Sequence, residues 1–412
     1  MNWKQTTLGE ISSNIQTGPF GSQLHQSDYS ENGIPVVMPK DILNGHVSDI
    51  SIARVPEEYA NRLNRHKIEP GDILYSRRGD VGRCAFTTDI EAGWLCGTGC
   101  LRVTIDQRKA IPKFVFYQLQ KTETIGWVEK HAVGSTMLNL NTSILSNVPI
   151  QIPSIDKQRF IVGVLSAYDN LIENNQKQIK LLEEAAQRLY KEWFVALRFP
   201  GHENTKITDG IPEGWEYKPI FDVFDFVRGR SYTSNELSDS TGVLMVNLKN
   251  IRAFGGYNRN AEKRFVGQFK DNQILSAGDV IMGVTDMTQE RRLVGHVALV
   301  PNMGETMIFS MDLIKLIPKR TDNLFLYSAM MFGGVSKRIS PLANGVNVLH
   351  LKPEAIMGVE MLIPNDKIVC QYHSQIDPVF SQIETLQKQC DAATEARDRL
   401  LSKLMNGEIR GG

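Results

Sequence analysis

Two stretches of the chain carry apolar residues at alternating intervals of four and three positions, one within 157–193 and one that begins at residue 369. A spacing that averages 3.5 residues places a single apolar stripe on a slightly supercoiled helix, which is typical of a coiled-coil seam. The remaining positions are mostly Gln, Lys, Glu and Asn, as a solvated helix requires. The predicted seam positions are Ile161, Leu165, Ile172, Asn175, Ile179, Leu182 and Leu189 in the first stretch, and Ile376, Ile383, Leu386, Arg397 and Leu404 in the second.

These two seams are predicted to pair with each other as an antiparallel coiled coil. Each sustains its spacing for about five heptads, and each has one polar interruption, Asn175 in the first and Arg397 in the second. Polar residues at seam positions cost stability, but they fix the register and the choice of partner. The alternative is two independent amphipathic helices, each packed on its own domain.

Outside the helices the chain is a tandem repeat. Residues 132–153 align without gaps on residues 343–364, and the string Gly71-Asp72-Ile73-Leu74 returns as Gly278-Asp279-Val280-Ile281. The identical positions in the aligned segment are Ala132, Gly134, Leu138, Leu140, Val148, Ile152 and Pro153, which match Ala343, Gly345, Leu349, Leu351, Val359, Ile363 and Pro364. Both copies then enter a seam-bearing helix, so the pattern predicts an internal repeat with pseudo-twofold symmetry.

The repeat divides the chain into five predicted segments. Residues 1–153 and 215–364 contain short apolar runs bounded by Gly, Pro, Asp or Asn, which indicate strands and turns, with a helical patch at 113–120. They are predicted to be two globular domains of mainly β or mixed structure, which makes the fold class α+β. Residues 154–200 and 365–412 are the long helices, and the polar stretch 201–214 is predicted to be a linker.

Composition excludes some classes of protein. The 412 residues include 46 basic and 46 acidic side chains, so overall charge implies no polyanionic partner and any nucleic-acid surface must come from local clustering. We find no apolar leader at the N-terminus and no run of 18 apolar residues, so no membrane partner is expected. The cysteines are odd in number and scattered, which favours reduced thiols and a cytoplasmic location.

Basic residues cluster in loops that follow predicted strands. Two similar domains held at a fixed separation suit a pseudosymmetric ligand such as duplex DNA, and arginine suits bidentate contact with guanine edges or phosphates. Surface arginines paired with nearby carboxylates are the alternative interpretation. The predicted DNA-binding residues are Gln16, Ser22, Gln23, Arg77, Arg78 and Arg83 in the first domain, and Arg228, Arg230, Tyr232, Lys249, Asn250, Arg291 and Arg292 in the second.

Several strings, in their order along the chain, resemble the DNA-specificity subunit of type I restriction–modification systems. They are Gly18-Pro19-Phe20-Gly21-Ser22, Gly71-Asp72-Ile73-Leu74, Tyr190-Lys191-Glu192-Trp193-Phe194, Ile211-Pro212-Glu213-Gly214-Trp215 and Leu400-Leu401-Ser402-Lys403-Leu404. The resemblance covers nearly the whole chain. It implies two target-recognition domains that alternate with two helices forming an antiparallel coiled coil. Each domain would read one half of a bipartite target, and the coil would set the gap between the halves.

The same resemblance implies partners and cofactors. The partners would be double-stranded DNA, two modification (methyltransferase) subunits and restriction/translocase subunits, with adenine as the methylated base. S-adenosylmethionine, ATP and Mg²⁺ are expected on those partner subunits, and no cofactor is expected on this chain. One departure is that the second Gly-Asp-Val-Ile string continues as Met282-Gly283-Val284-Thr285, without arginines. The two domains are therefore expected to read different sequences.

Catalytic motifs are missing from the sequence. There is no Asn-Pro-Pro-Tyr tetrapeptide, no Gly-rich loop for a methyl donor or ATP, and no His-Glu-x-x-His. Cys96 and Cys100 lack a second ligand pair, so no metal site is expected. The chain is predicted to be a non-catalytic subunit. The alternatives are a coiled-coil scaffold or adaptor whose repeats bind protein, and a stand-alone enzyme with an unfamiliar site.

Overall fold

The computed structural model describes residues 3–134, 138–261 and 263–409. Packing divides these residues into two compact units. The first unit consists of the described residues of 1–173 and 391–412, and the second consists of those of 174–390. Each unit therefore contains one β domain together with part of each long helix.

The two long helices are paired within each unit. The first helix spans Ile155–Tyr190 and continues as a π-helical turn, Lys191–Val195, and the second spans Asp366–Met405. In the second unit Asn175 Nδ2 donates to Gln389 Oε1 at 3.1 Å, and the ring of Tyr190 lies 6.1 Å from that of Tyr372. As the residue number rises in one helix it falls in the other, so the predicted antiparallel pairing is confirmed.

In the first unit the same helices meet through an ion pair. Arg397 Nη1 lies 3.2 Å from Asp169 Oδ1, and Ile161 and Leu165 share a hydrophobic core with Leu404. Among the predicted seam residues the buried ones are Ile161, Leu165, Asn175, Ile179, Ile376, Leu386 and Leu404. The half-buried ones are Ile172, Leu182, Leu189, Ile383 and Arg397.

The first β domain is built on a four-stranded antiparallel sheet. Its strands lie in the order Ser12–Thr17, Cys100–Ile105, Ile73–Ser76 and Cys84–Phe86. A second sheet has the order Ala53–Val55, Ile34–Val37 and Leu95–Cys96, of which the last two are parallel. The shorter pairs are Lys4–Thr7 with Pro149–Ile152 and Ile42–Leu43 with His46–Val47. The helices are Leu8–Ile11, Glu57–Arg62, Pro112–Leu119, Thr122–His131 and Thr142–Ser146.

The second β domain repeats this plan. Its four-stranded sheet has the order Phe224–Arg228, Leu313–Pro318, Val280–Gly283 and Val297–Leu299. Its second sheet has the order Leu237–Ser238, Arg264–Phe265, Val243–Val246, Met307–Phe309 and Ile274–Leu275. The shorter pairs are Glu216–Pro219 with Glu360–Ile363 and Thr285–Asp286 with Leu349–His350. The helices are Ile220–Val223, Asn323–Phe332 and Val335–Ile339.

The predicted internal repeat is confirmed by the order of the strands. In both four-stranded sheets, the strand that comes first in the sequence pairs with the strand that comes last. That last strand also pairs with the strand that follows the Gly-Asp string. In both domains the second sheet contains one parallel pair, Ile34–Val37 with Leu95–Cys96 in the first and Val243–Val246 with Met307–Phe309 in the second. This is the α+β architecture that the sequence predicts.

The Gly-Asp string recurs because it forms the turn that precedes the central strand of each four-stranded sheet. Gly71 and Gly278 adopt positive φ angles of 90° and 87°, which a side chain would make unfavourable. Asp72 then accepts a hydrogen bond from Glu69 N at 2.8 Å, and Asp279 accepts one from Ser276 N at 2.9 Å. Both strands that follow are fully buried, because each forms the middle of its sheet.

The segment predicted to be a polar linker contains a short hairpin. A short hairpin pairs Ile207–Thr208 with Ile211–Pro212, and Ile211 packs on the core of the second unit. Just before and after this segment, the rings of Phe199 and Trp215 lie 4.7 Å apart. The polar composition gave no sign of this hairpin, because a hairpin this short buries few apolar side chains.

Candidate nucleic-acid interface

In the first β domain three loops meet at one end of the four-stranded sheet. Gly18 N donates to Cys100 O at 3.0 Å, and Arg77 N donates to Gly99 O at 2.8 Å. Leu140 N in turn donates to Arg77 O at 2.8 Å. We call these loops, residues 17–20, 77–79 and 138–140, the first edge. A Cβ atom on Gly18 would lie 1.8 Å from the carbonyl oxygen of Gly97, so only glycine allows this close approach.

The first edge presents an arginine stacked on an exposed aromatic ring. Phe20 is 47% exposed, and the guanidinium carbon of Arg77 lies 4.8 Å from the centre of its ring. Within the described residues, Nε and Nη1 of Arg77 are buried without a hydrogen-bond partner. Burial lowers the pKa of Arg77, and the neighbouring charge of Arg78 adds to that effect. Arg78 and Ser22 are exposed beside this pair.

The second β domain builds the equivalent edge with the same backbone bonds. Gly229 N donates to Leu313 O at 3.2 Å, and Val284 N donates to Asp312 O at 2.9 Å. Leu351 N donates to Val284 O at 2.8 Å, as Leu140 does to Arg77 in the first domain. We call residues 228–231, 284–286 and 349–351 the second edge. A Cβ atom on Gly229 would lie 2.0 Å from the carbonyl oxygen of Ser310.

The side chains on the second edge differ from those on the first. Arg228 and Arg230 are present, but each is paired with a carboxylate, Glu354 at 2.7 Å and Glu236 at 3.4 Å. Three large apolar side chains near this edge are exposed. The exposed fractions are 79% for Met287, 55% for Met311 and 88% for Val346. Met311 is tied to the edge because its N–H donates to Arg230 O at 2.9 Å. The two domains therefore present different chemistry on the same scaffold.

Asp286 organises the loop that carries Arg291 and Arg292. Its Oδ2 accepts from Leu293 N at 2.6 Å and from Val294 N at 3.2 Å, and its Oδ1 accepts from Thr288 N at 2.7 Å. Burial acts to raise the pKa of Asp286, but these hydrogen bonds outweigh it and hold the pKa below its ordinary value. The loop closes with Arg291 in a left-handed conformation, at φ 53°.

Within that loop the two arginines are placed differently. Arg292 forms an ion pair with Glu290 and is exposed. Arg291 is half-buried, and its Nε is buried without a hydrogen-bond partner in the described part of the chain. Both remain predicted DNA contacts.

A polar cleft of about 520 Å³ lies in the second domain. Its lining residues are Asn247, Lys249, Asn258, Asn260, Ala261 and Lys263. Lys263 Nζ lies 5.0 Å from the centre of the Tyr232 ring and donates to Tyr232 Oη at 3.1 Å, which joins two basic loops. Exposed Lys249 is available to an anionic ligand here.

The prediction that Asn250 contacts DNA is not supported by its position. Asn250 is 2% exposed, and its Nδ2 donates to the carbonyl oxygens of Asn258 and Ala261. Its Oδ1 accepts from Asn247 N at 2.9 Å. The side chain is used entirely in shaping the loop, and the sequence pattern did not distinguish that role from an exposed one.

Three other predicted contacts of the first domain are used in internal bonds. Gln16 Nε2 donates to the carbonyl oxygen of Arg65, and Gln23 Oε1 accepts from Phe20 N at 3.1 Å. Arg83 pairs with Asp80 across a short turn, with both side chains about half exposed. Gln16 and Gln23 therefore position the loops around the first edge, and Arg83 keeps an exposed face.

Sequence reasoning missed the apolar side chains of both edges. Phe20 was part of a recognised string, but an exposed phenylalanine cannot be told from a buried one by its type. Met287, Met311 and Val346 gave no signal at all. The carboxylates of Glu236 and Glu354, which neutralise Arg228 and Arg230, were missed as well.

No group of His, Cys, Asp or Glu in the described part of the chain is arranged to hold a metal ion. Burial raises the pKa values of Cys84 and Cys96 to about 12, so these thiols stay protonated. Among the helices that the structure describes, none is long and apolar enough to cross a membrane.

The chain is a tandem repeat of one β domain, and each copy carries arginines on the equivalent edge and packs with part of both long helices. Residues 1–184 and 212–390 match the family described as the type I restriction modification DNA specificity domain. The chain belongs to this family. Membership confirms the predicted class, a type I specificity chain whose role is recognition and not catalysis.

Individual relatives agree with this assignment. The MjaIX type I restriction enzyme specificity subunit of Methanocaldococcus jannaschii is 27% identical over 397 residues, which is 93% of this chain and 88% of that protein. The HindI specificity subunit of Haemophilus influenzae is 21% identical over 478 residues, covering 99% of this chain and all of that protein. The crystal structure of a type I restriction-modification S subunit from M. genitalium has the same fold, with a TM-score of 0.59 at 15% identity, and covers 98% of this chain and 96% of that one.

Proposed function

We propose that this chain is the sequence-specific DNA-recognition subunit of a type I restriction–modification complex. Each β domain reads one half of a bipartite target, and the paired helices set the length of the unread gap. The observation that carries the proposal is the duplication of the edge. The same backbone bonds anchor the loops in both domains, whereas the side chains that they present differ.

Basic groups on exposed loops supply the affinity for DNA. Arg78 on the first edge and Lys249 in the cleft of the second domain are exposed, so both can reach phosphate oxygens. Backbone contacts position a protein on the duplex, and contacts to base edges specify the sequence. The two edges, which differ in charge and in apolar surface, suit two different half-sites.

The chain works with other subunits of its complex. We propose two modification subunits that carry S-adenosylmethionine and methylate adenine, and restriction/translocase subunits that carry ATP and Mg²⁺. The support for this arrangement is membership in the specificity family, together with the match to specificity subunits along most of the chain. On this proposal the chain directs where the chemistry occurs and performs none of it.

The test is to sequence base modifications in the host genome with and without this chain. We expect a split motif, methylated at adenine, that disappears on deletion and returns on complementation with the wild-type chain. Loss of the chain without loss of any methylated motif would contradict the proposal. A motif that is continuous, without an unread gap, would contradict the division of labour between two domains.

A further inference from the structure

The two edges obtain their arginines from different loops. On the first edge Arg77 follows the central strand Ile73–Ser76, and the equivalent position on the second edge is Val284. On the second edge Arg230 follows the first strand of the sheet, and the equivalent position on the first edge is Pro19. Because the scaffold is the same, the change of loop moves the arginine to a different place on the edge.

Arg77 differs from its neighbours in how it is held. Its guanidinium group lies over the Phe20 ring, and its backbone is fixed on both sides by the bonds to Gly99 and Leu140. Arg78 is exposed, and Arg83 is paired with Asp80. An arginine whose plane is fixed by an aromatic ring loses little conformational freedom when it forms two parallel hydrogen bonds.

We propose that Arg77 is the specificity-determining side chain of the first domain and that it reads a guanine in the major groove. This inference rests on the proposed function and deepens it. Guanine presents two acceptors, O6 and N7, on its major-groove edge, and arginine is the side chain that matches this pair. Arg77 as a whole is half-buried on the first edge, so part of its side chain remains accessible to a base.

Phe20 has a positioning role in this proposal. Its exposed ring lies beside the guanidinium group, which fixes the guanidinium plane and keeps water from one of its faces. Gly18 lets the loop approach the sheet closely enough to place the ring there. The second domain has Ser231 at the position equivalent to Phe20 and Val284 at that of Arg77, so the same reading is not expected in the second half-site.

The experiment uses the chain assembled with its modification subunits, and it measures methylation of synthetic duplexes. Each base pair of both half-sites is substituted in turn, for the wild-type chain and for Arg77→Lys, Arg77→Ala and Phe20→Leu. For the Arg77 variants we expect discrimination at one guanine of one half-site to fall by about 5- to 150-fold. Discrimination in the other half-site is expected to stay the same. Phe20→Leu should weaken the discrimination at the guanine that Arg77 reads.

Arg108→Gln is the matched control, because Arg108 is a 90% exposed arginine of the same domain that lies outside the predicted DNA contacts. We expect it to leave the preference at every position unchanged. A uniform loss of methylation on all duplexes for Arg77→Lys would make Arg77 a phosphate contact and overturn the inference. Unchanged specificity in every folded variant, judged by melting temperature, would overturn it as well. A wild-type complex without any sequence preference would instead overturn the proposed function.

Discussion

Asp286 fixes the conformation of a loop in which two predicted DNA contacts lie. The carboxylate is fully buried and accepts four hydrogen bonds, two of them from the Thr288 amide and hydroxyl. Without these bonds, the backbone N–H groups of Leu293 and Val294 would be buried and unsatisfied. The positions of Arg291 and Arg292 therefore depend on a residue that does not itself face a ligand.

Replacing this carboxylate should weaken the second unit. Asp286→Asn keeps the shape of the side chain but puts an amide against backbone N–H groups, and hydrogen bonds to a charged acceptor contribute about 1.5–3 kcal/mol. We expect a loss of that order in the free energy of unfolding, measured by chemical denaturation with tryptophan fluorescence. Asp239→Asn, at an exposed position of the same domain, is the control and should change the stability by less than about 0.5 kcal/mol.

The same substitution has a pH dependence with a defined sign. Since the pKa of Asp286 is depressed in the folded chain, its stabilisation is complete above the unfolded value of about 3.9 and is lost as the pH falls through the folded pKa. The difference in unfolding free energy between wild type and Asp286→Asn should be constant from neutral pH to about pH 5. It should shrink in more acidic solution. A difference that grows on acidification would show that the carboxylate is not the stabilising form.

At the level of single residues, type and spacing located the basic loops but not their neutralising partners. Arg77 and Arg78 were predicted as contacts, and both lie on an edge. The ion pair between Arg228 and Glu354 joins positions 126 residues apart, so no local pattern could reveal it. Asn250 was predicted as a contact together with the basic residues around it, and its burial depends on the folded path of residues 258–261.

At the level of elements, a charged cluster attaches the first β domain to the paired helices within the first unit. Asp169 accepts a hydrogen bond from the hydroxyl of Tyr117 and lies 3.2 Å from Arg397 and 3.7 Å from Lys113. Its side chain is only 12% exposed. The Lys113 ammonium also lies 4.6 Å from the centre of the Phe86 ring, so one carboxylate joins a domain helix to both long helices.

Removing the charge of Asp169 should destabilise the first unit. Asp169→Asn removes the carboxylate that pairs with Lys113 and leaves Arg397 paired with Asp398 alone. We expect this to cost about 2 kcal/mol, less than the loss of a partner from a fully buried pair. The measurement is the melting temperature of the first unit, followed by circular dichroism in the intact chain. Asp156→Asn on the same helix is the matched control. Asp156 is 93% exposed in its pair with Arg159, so only the smaller shift that follows from its place in the first turn of the helix is expected. Equal shifts for both variants would contradict a structural role of the cluster.

The long helices were predictable because their signal is local and repeated. The seam spacing indicated one continuous helix even across Pro378, which is exposed and lies inside Asp366–Met405. The partners of the polar seam residues were not predictable. Asn175 faces Gln389, and Arg397 faces Asp169. Both pairings depend on the register between two helices that are far apart in the sequence.

At the level of the whole molecule, the five predicted segments follow one another along the sequence, whereas the compact units combine parts from distant positions. Residues 391–412 belong to the first unit although they end the chain, because the second helix returns to the first β domain. The tandem repeat itself was evident from matching strings 211 positions apart, such as Ala132 with Ala343. The difference between the two edges was only partly evident, since it depends on which loops the fold brings together.

The most direct test of two reading domains separated by a helical ruler is to lengthen both helices. Duplicating residues 170–173 and 391–394 adds four residues to each helix at matching levels. Each helix becomes about 6 Å longer, and the part beyond the insertion is rotated about 40° more than a full turn. A base pair adds ~3.4 Å along the duplex and about 35° of rotation. Four residues inserted in the exposed turn at Asp209-Gly210 serve as the control and should leave the gap unchanged.

The measurement is the methylated motif in a host that expresses each variant. The account predicts that the duplicated helices lengthen the unread gap by about one or two base pairs, with the sequences of both half-sites unchanged. An unchanged gap in a stable, active complex with lengthened helices would contradict it.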